Sequence, residues 1–92
     1  MKYRSRAEII STVLQAVKKG STKTKIMYDA YLSYTQLKEY LKYLEENQLI
    51  SYDNKDHIYN ITENGKKFLK AFDEITNLIS PNSGKEIKNF II

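Results

Sequence analysis

The chain has 92 residues, 41% of them hydrophobic and 28% charged, which is the make-up of one small folded domain. It carries no cysteine, and that excludes disulfides, thiolate nucleophiles and cysteine zinc sites together. A net charge of +4 and a pI near 9.2 suit a polyanionic partner, or solubility alone.

The basic excess is one-sided. Residues 1–30 hold seven Lys or Arg against two acids, residues 31–61 three against five, and residues 62–92 five against four. The opening stretch, MKYRSRAEII, has no long apolar run ahead of a cleavage site, so no secretory signal is expected. No apolar run approaches the ~20 residues that span a bilayer. A cytoplasmic protein without a membrane partner is the expectation.

In chain order, Ser5 and Glu8 have the S-x-x-E spacing of a capping box. Ile10, Leu14 and Val17 follow at helical spacing with Val13 beside them, and Gly20 stops the run. The first helix is predicted over 6–19. Thr22 can cap a second over 23–30, with Ile26 and Ala30 facing inward. Lys23 and Lys25 lie in its first turn, the wrong end of the helix dipole for cations. A bound phosphate would relieve that conflict, and simple solvation is the alternative. Ser33 is a good N-cap for a third helix over 34–47. At 100° per residue, Leu37, Tyr40, Leu41 and Leu44 share an inner arc, while Thr35, Lys38, Glu39, Lys42 and Glu46 lie opposite. Tyr34 falls at the edge of the inner arc.

Two β-prone runs, 49–52 and 57–61, flank the polar tip Asp53-Asn54-Lys55-Asp56, which reads as a hairpin. Ile50 and Tyr52 alternate on one strand and Tyr59 and Ile61 on the other, so one face of each can be buried. Thr62 can cap a last helix running to 79, with Gly65 in its first turn and Pro81 ending it. The boundaries that follow are 1–62 for the main domain, 63–80 for the C-terminal helix and 81–92 for a tail.

Only Tyr31-Leu32 joins the second and third helices, which forces a tight helix-turn-helix. The hairpin after the third helix is then a wing. The fold expected is mainly α with a small β-hairpin: a winged helix-turn-helix plus a C-terminal helix. In a helix-turn-helix the second helix of the pair lies in the DNA major groove, its N-terminal residues on base edges. Here that helix opens with the polar cluster Ser33-Tyr34-Thr35-Gln36.

GSTKTKIMYDAYLSYTQLKEYLKYLEENQLI followed by YNITENGKKFL resembles the archaeal winged helix-turn-helix DNA-binding proteins. The likeness covers about residues 6–72. The run K-T-K-I-M-Y-x-A-x-L-S-Y is fairly specific, whereas Y-x-I-T-E-x-G-x-x-F-L is common to many winged-helix families. That family includes small basic chromatin-associated proteins that dimerise through a C-terminal helix, often as a long antiparallel coiled coil. Pro81 departs from that length. The resemblance implies double-stranded DNA binding with no cofactor and no catalysis.

Thr35, Gln36, Lys38, Glu39 and Lys42 are the candidate base contacts, since Gln can pair with adenine and Lys can reach guanine. The other reading is a solvated helix face, and Glu39, Glu45 and Glu46 argue for it. Arg4, Arg6, Lys23, Lys25, Ser33, Tyr34 and Lys55 are the candidate backbone contacts, which set register without reading sequence. Tyr34 can instead close the core, and Lys55 can sit in a solvated loop between Asp53 and Asp56.

His57 is the only histidine and has no ligand pattern around it, so it reads as a strand residue, and no metal, cofactor or small-molecule substrate is expected. The pairs Glu45-Glu46 and Asp73-Glu74 diverge on helices, and the three glycines are isolated, so no enzyme is expected. In the last helix Phe68, Phe72, Ile75 and Ile79 form one stripe, flanked by Leu69 on one side and by Ala71 and Leu78 on the other. That arc is wider than a small core needs. Phe68, Phe72, Ile75, Leu78 and Ile79 are therefore the candidate homodimer interface, with intramolecular packing as the alternative. The tail residues Ile87, Phe90, Ile91 and Ile92 can fold back onto it.

The function expected is double-stranded DNA binding as a transcriptional regulator or nucleoid-type protein, with residues 34–47 as recognition helix. The alternative is a protein–protein interaction module that uses the C-terminal helix and tail.

Overall fold

The computed structural model describes residues 4–79, and the backbone alone at Ile79. Pro81 and the tail residues Ile87, Phe90, Ile91 and Ile92 lie outside the described residues, as does the side chain of Ile79. The elements are α1 (Arg6–Ala16), α2 (Lys23–Asp29), α3 (Tyr34–Glu46), β1 (Ile50–Asp53), β2 (Ile58–Ile61) and α4 (Glu63–Ile79). Four helices and an antiparallel hairpin in this order make the winged-helix arrangement that the sequence suggested.

Side chains start every helix. Ser5 and Glu8 close a capping box on α1, and Thr22 accepts from Lys25 N on α2. At α4 the Thr62 hydroxyl accepts from Gly65 N at 3.0 Å and donates to Gln48 O at 2.7 Å. Helix α1 stops at Ala16 rather than 19. Val17 is its C-cap, and residues 17–19 turn toward Gly20 at φ +87°. Helices α2 and α3 both end in a Schellman motif. Tyr31 N donates to Tyr28 O and Leu32 N to Met27 O, then Gln48 N to Glu45 O and Leu49 N to Leu44 O. The left-handed position of that motif favours glycine, yet Tyr31 and Gln48 occupy it at φ +56° and +60°.

In the hairpin, Ile50 pairs with Ile61 and Tyr52 with Tyr59, so all four side chains share one face. Ile50 and Tyr59 are buried, while Tyr52, nearer the tip, stays exposed. Ser21 adds a third strand of a single residue: Ser21 N donates to Tyr59 O at 3.0 Å and Tyr59 N to Ser21 O at 2.8 Å. This bridge ties the loop before α2 to the wing. His57 precedes β2 in a turn, at φ +57°.

The core joins Val13, Leu14 and Val17 of α1 and its C-cap to Ile26, Leu37, Leu41, Leu44 and Ile50, with Leu69 from α4. Each large aliphatic side chain buried there contributes roughly 1.5–3 kcal/mol. Gly65 allows α4 to approach closely. A Cβ there would collide with the Leu49 carbonyl and come within 2.6 Å of Ile61 Cγ1. Leu69 is thus the buried member of the α4 arc. Phe68 and Phe72 are half-buried, and their rings stack with centroids 6.4 Å apart. Further along, Ile75 and Leu78 are 55% and 81% exposed. Among the described side chains the stripe therefore divides, with Phe68 and Phe72 half-buried and Ile75, like the flanking Leu78, exposed.

Candidate nucleic-acid interface

Helix α3 buries Leu37, Leu41 and Leu44 and leaves Thr35, Lys38, Glu39 and Lys42 exposed, as helical periodicity requires. Its N-terminus is built by a reciprocal capping box. Gln36 N donates to Ser33 Oγ at 3.2 Å, and Ser33 N donates to Gln36 Oε1 at 3.0 Å. S-x-x-Q is a capping-box spacing, so the local sequence carries the signal for this box. The amide oxygen of Gln36, a candidate base contact, is thereby occupied at the helix start. Tyr34 does not close the core. It is 56% exposed, with Lys38 Nζ 5.3 Å from its ring centroid.

Three lysines converge beside this face. Lys23 from α2 and Lys38 and Lys42 from α3 line one shallow depression of about 230 Å³, together with Leu41, Glu45 and Tyr59. The Ser21–Tyr59 bridge places the start of α2 next to β2, and so next to α3. Nothing local in the sequence shows that Lys23 and Lys42 meet. Tyr59 is a member that sequence reasoning missed. Burial, then the Glu45 carboxylate and then Tyr52 push its phenol above the usual tyrosine range.

Of the other candidate backbone residues, Arg4, Arg6 and Lys25 have side-chain partners within the chain. Arg4 Nη2 donates to Tyr31 O at 3.1 Å and so braces the turn between α2 and α3. The Arg6 guanidinium lies over Tyr40 and Tyr43, 5.7 and 5.3 Å from their centroids. Lys25 pairs with Asp29 at 3.0 Å one turn along α2, which answers its unfavourable place on the helix dipole without a phosphate. At the wing tip, Asp53 Oδ1 accepts from the backbone N–H groups of Lys55 and Asp56, an Asx turn that leaves the Lys55 side chain exposed. Tyr28 and Tyr31, at 68% and 83% exposure, add aromatic surface around the turn. Among the described residues, no group of three or more His, Cys, Asp or Glu side chains is gathered to hold a metal, and no helix is long and apolar enough to cross a membrane.

A family model described as winged helix-turn-helix matches residues 3–80. The chain belongs to the winged helix-turn-helix family. Two uncharacterized proteins of Methanocaldococcus jannaschii are relatives of this winged helix-turn-helix chain. One is 38% identical over 80 residues, covering 86% of this chain and 37% of the relative. The other is 33% identical over 78 residues, covering 84% and 78%. The chain therefore spans little more than a third of the first relative's length. Among solved structures, Sso10a-2, a DNA-binding protein from Sulfolobus solfataricus, superposes with a TM-score of 0.70 at 28% identity, over 82% of this chain and 81% of that one. A mutant MepR from a multidrug-resistant S. aureus clinical isolate superposes with a TM-score of 0.57 at 20% identity, over 91% and 68%, a likeness of fold alone.

Proposed function

We propose that this winged helix-turn-helix protein binds double-stranded DNA as a transcriptional regulator or nucleoid-type protein, with the N-terminal half of α3 in the major groove. The observation that carries this reading is the convergence of Lys23, Lys38 and Lys42 on one depression beside the exposed face of α3. Ammonium groups in that place suit phosphates flanking a groove. The likeness to Sso10a-2, a DNA-binding protein, supports the same reading. Helix α3 carries Lys38 and Lys42 against Glu39, Glu45 and Glu46. Its own charge is therefore not the source of affinity, and Lys23 and the basic surroundings supply the rest.

The experiment is fluorescence anisotropy of a generic duplex across a salt series. Log K falls with log salt with a slope of about −0.9 for each phosphate neutralised. Replacing Lys23, Lys38 and Lys42 together by Gln makes that slope shallower by about 0.9 per lysine in contact. An unchanged slope and affinity would remove this depression from the interface.

The same proposal makes the protein a homodimer through the uncovered end of α4, where Ile75 and Leu78 stand in solvent. A two-fold pair would present two α3 helices to one duplex. That exposed surface also favours a second reading, a module that binds another protein through α4.

A further inference from the structure

A second concave surface lies on elements that the proposed DNA interface does not use. It is a depression of about 380 Å³ lined by Gln15, Lys18, Lys66, Leu69, Lys70 and Asp73. It shares no residue with the depression beside α3. We propose that this groove between the end of α1 and the first turns of α4 binds adjacent phosphate groups, as found in a short oligophosphate or along a nucleic-acid strand.

The placement follows from helical spacing. Lys66, Leu69, Lys70 and Asp73 recur at i, i+3, i+4 and i+7 on one face of α4. Gln15 and Lys18 stand on α1 and just past its C-cap, Val17. Helix α4 packs on α1 through buried Leu69, and this contact sets Lys18 on the same depression as Lys66 and Lys70. Lys66 and Lys70 are like charges one turn apart, an arrangement that repels. Among the described residues neither Lys18 nor Lys70 has a carboxylate within ion-pair distance, and the Lys66 partner, Glu63, is 3.5 Å away with both side chains exposed. Asp73 is the one carboxylate in the lining, so three positive charges face one negative.

The lining selects the ligand class. Ammonium groups are compact point charges and phosphate binders, without the planar fork that matches a single carboxylate. The Gln15 amide adds a neutral donor, and Leu69 supplies an apolar floor. The volume is near the small end of ligand sites, roughly 300–1,000 Å³. It suits two or three linked phosphates better than a large aromatic ligand. A free oligophosphate and a strand backbone present the same chemistry here.

The test is amide-shift mapping by NMR on the full chain with two probes, sodium tripolyphosphate and a short generic duplex. Saturating shifts are expected at Gln15, Lys18, Lys66, Leu69 and Lys70. They persist when Lys23, Lys38 and Lys42 are Gln, and they are lost in the variant Lys18→Gln, Lys66→Gln, Lys70→Gln. Affinity at the groove drops by at least about tenfold in that variant, the loss expected when one charge-assisted hydrogen bond goes. Shifts with tripolyphosphate alone assign a free oligophosphate, and shifts with the duplex assign a strand backbone. Failure of the α3 reading would show at residues 23, 38 and 42 instead, so the two failures are distinguishable. No saturating shift in the groove with either probe, or shifts unchanged in the folded triple variant, would overturn the proposal.

Discussion

Gln36 offers the sharpest separation of folding from recognition. Its Oε1 accepts from Ser33 N at 3.0 Å, at the exposed start of α3. Gln36→Ala removes that acceptor and returns the Ser33 N–H to water. A net hydrogen bond is worth about 0.5–1.5 kcal/mol, and exposure puts this one at the lower end. For a domain of this size about 1 kcal/mol moves Tm by roughly 4–8 °C, so Gln36→Ala should melt about 2–6 °C below wild type. Gln36→Glu keeps the box and places a negative charge at a helix N-terminus. It should hold Tm or raise stability by about 0.3–1 kcal/mol. For DNA the expectation reverses. With Oε1 turned back to Ser33, the amide cannot lie flat on an adenine edge without opening the box. Gln36→Ala should therefore keep its discrimination between duplexes, measured by anisotropy well below Tm. Gln36→Glu should weaken binding to all duplexes, because its charge faces the phosphates. An unchanged Tm in Gln36→Ala, combined with a loss of about 1–3 kcal/mol on one preferred sequence only, would refute this reasoning. The side chain would then be a base reader and not a cap.

Three further outcomes are expected. Tyr31 sits at φ +56° with its side chain 83% exposed, and the Arg4 bond goes to its backbone carbonyl, so Tyr31→Gly should raise stability by up to about 1 kcal/mol in a denaturant melt; a lower midpoint would show that the ring packs in solution. Ile75→Glu puts a charge on the uncovered end of α4 and should convert a particle of twice 10.8 kDa into a monomer by sedimentation, with weaker DNA binding; a wild type that is already monomeric at high concentration would end the dimer proposal. The Tyr59 phenol titrates above its ordinary 10.0 in the folded protein, so the fold holds more protons than the unfolded chain there. Its contribution is complete below that pH and is lost as pH rises beyond it. Tyr59→Phe should flatten the alkaline limb of the stability curve, and a limb of the same steepness would place the titration elsewhere.

The elements and their starts were legible because their causes are local. Ser5, Thr22, Ser33 and Thr62 each precede an apolar helical period, and each is found as a cap. The α2–α3 turn followed from having two residues, Tyr31 and Leu32, to make it. The ends of helices were less legible. Helix α1 stops at Ala16 because the chain must swing Ser21 onto Tyr59, a contact between residues far apart in sequence. Periodicity places Tyr34 at the edge of the buried arc but gives only an angle around the helix and not the depth of the neighbours, and the ring is exposed.

The candidate site shows the same division. Composition and spacing alone determined a small basic chain of four helices and a hairpin, with Lys38 and Lys42 outward on α3. These depend on rotation per residue and on side chains bonding to nearby backbone. Tertiary structure decided which charges act together. It brought Lys23 to Lys38 and Lys42 through the Ser21–Tyr59 bridge, turned Arg4 and Arg6 to contacts within the chain, and gathered Lys18, Lys66 and Lys70 across the α1–α4 packing. A side chain's partner in space depends on how the core brings distant segments together, and neither spacing nor charge count carries that distance.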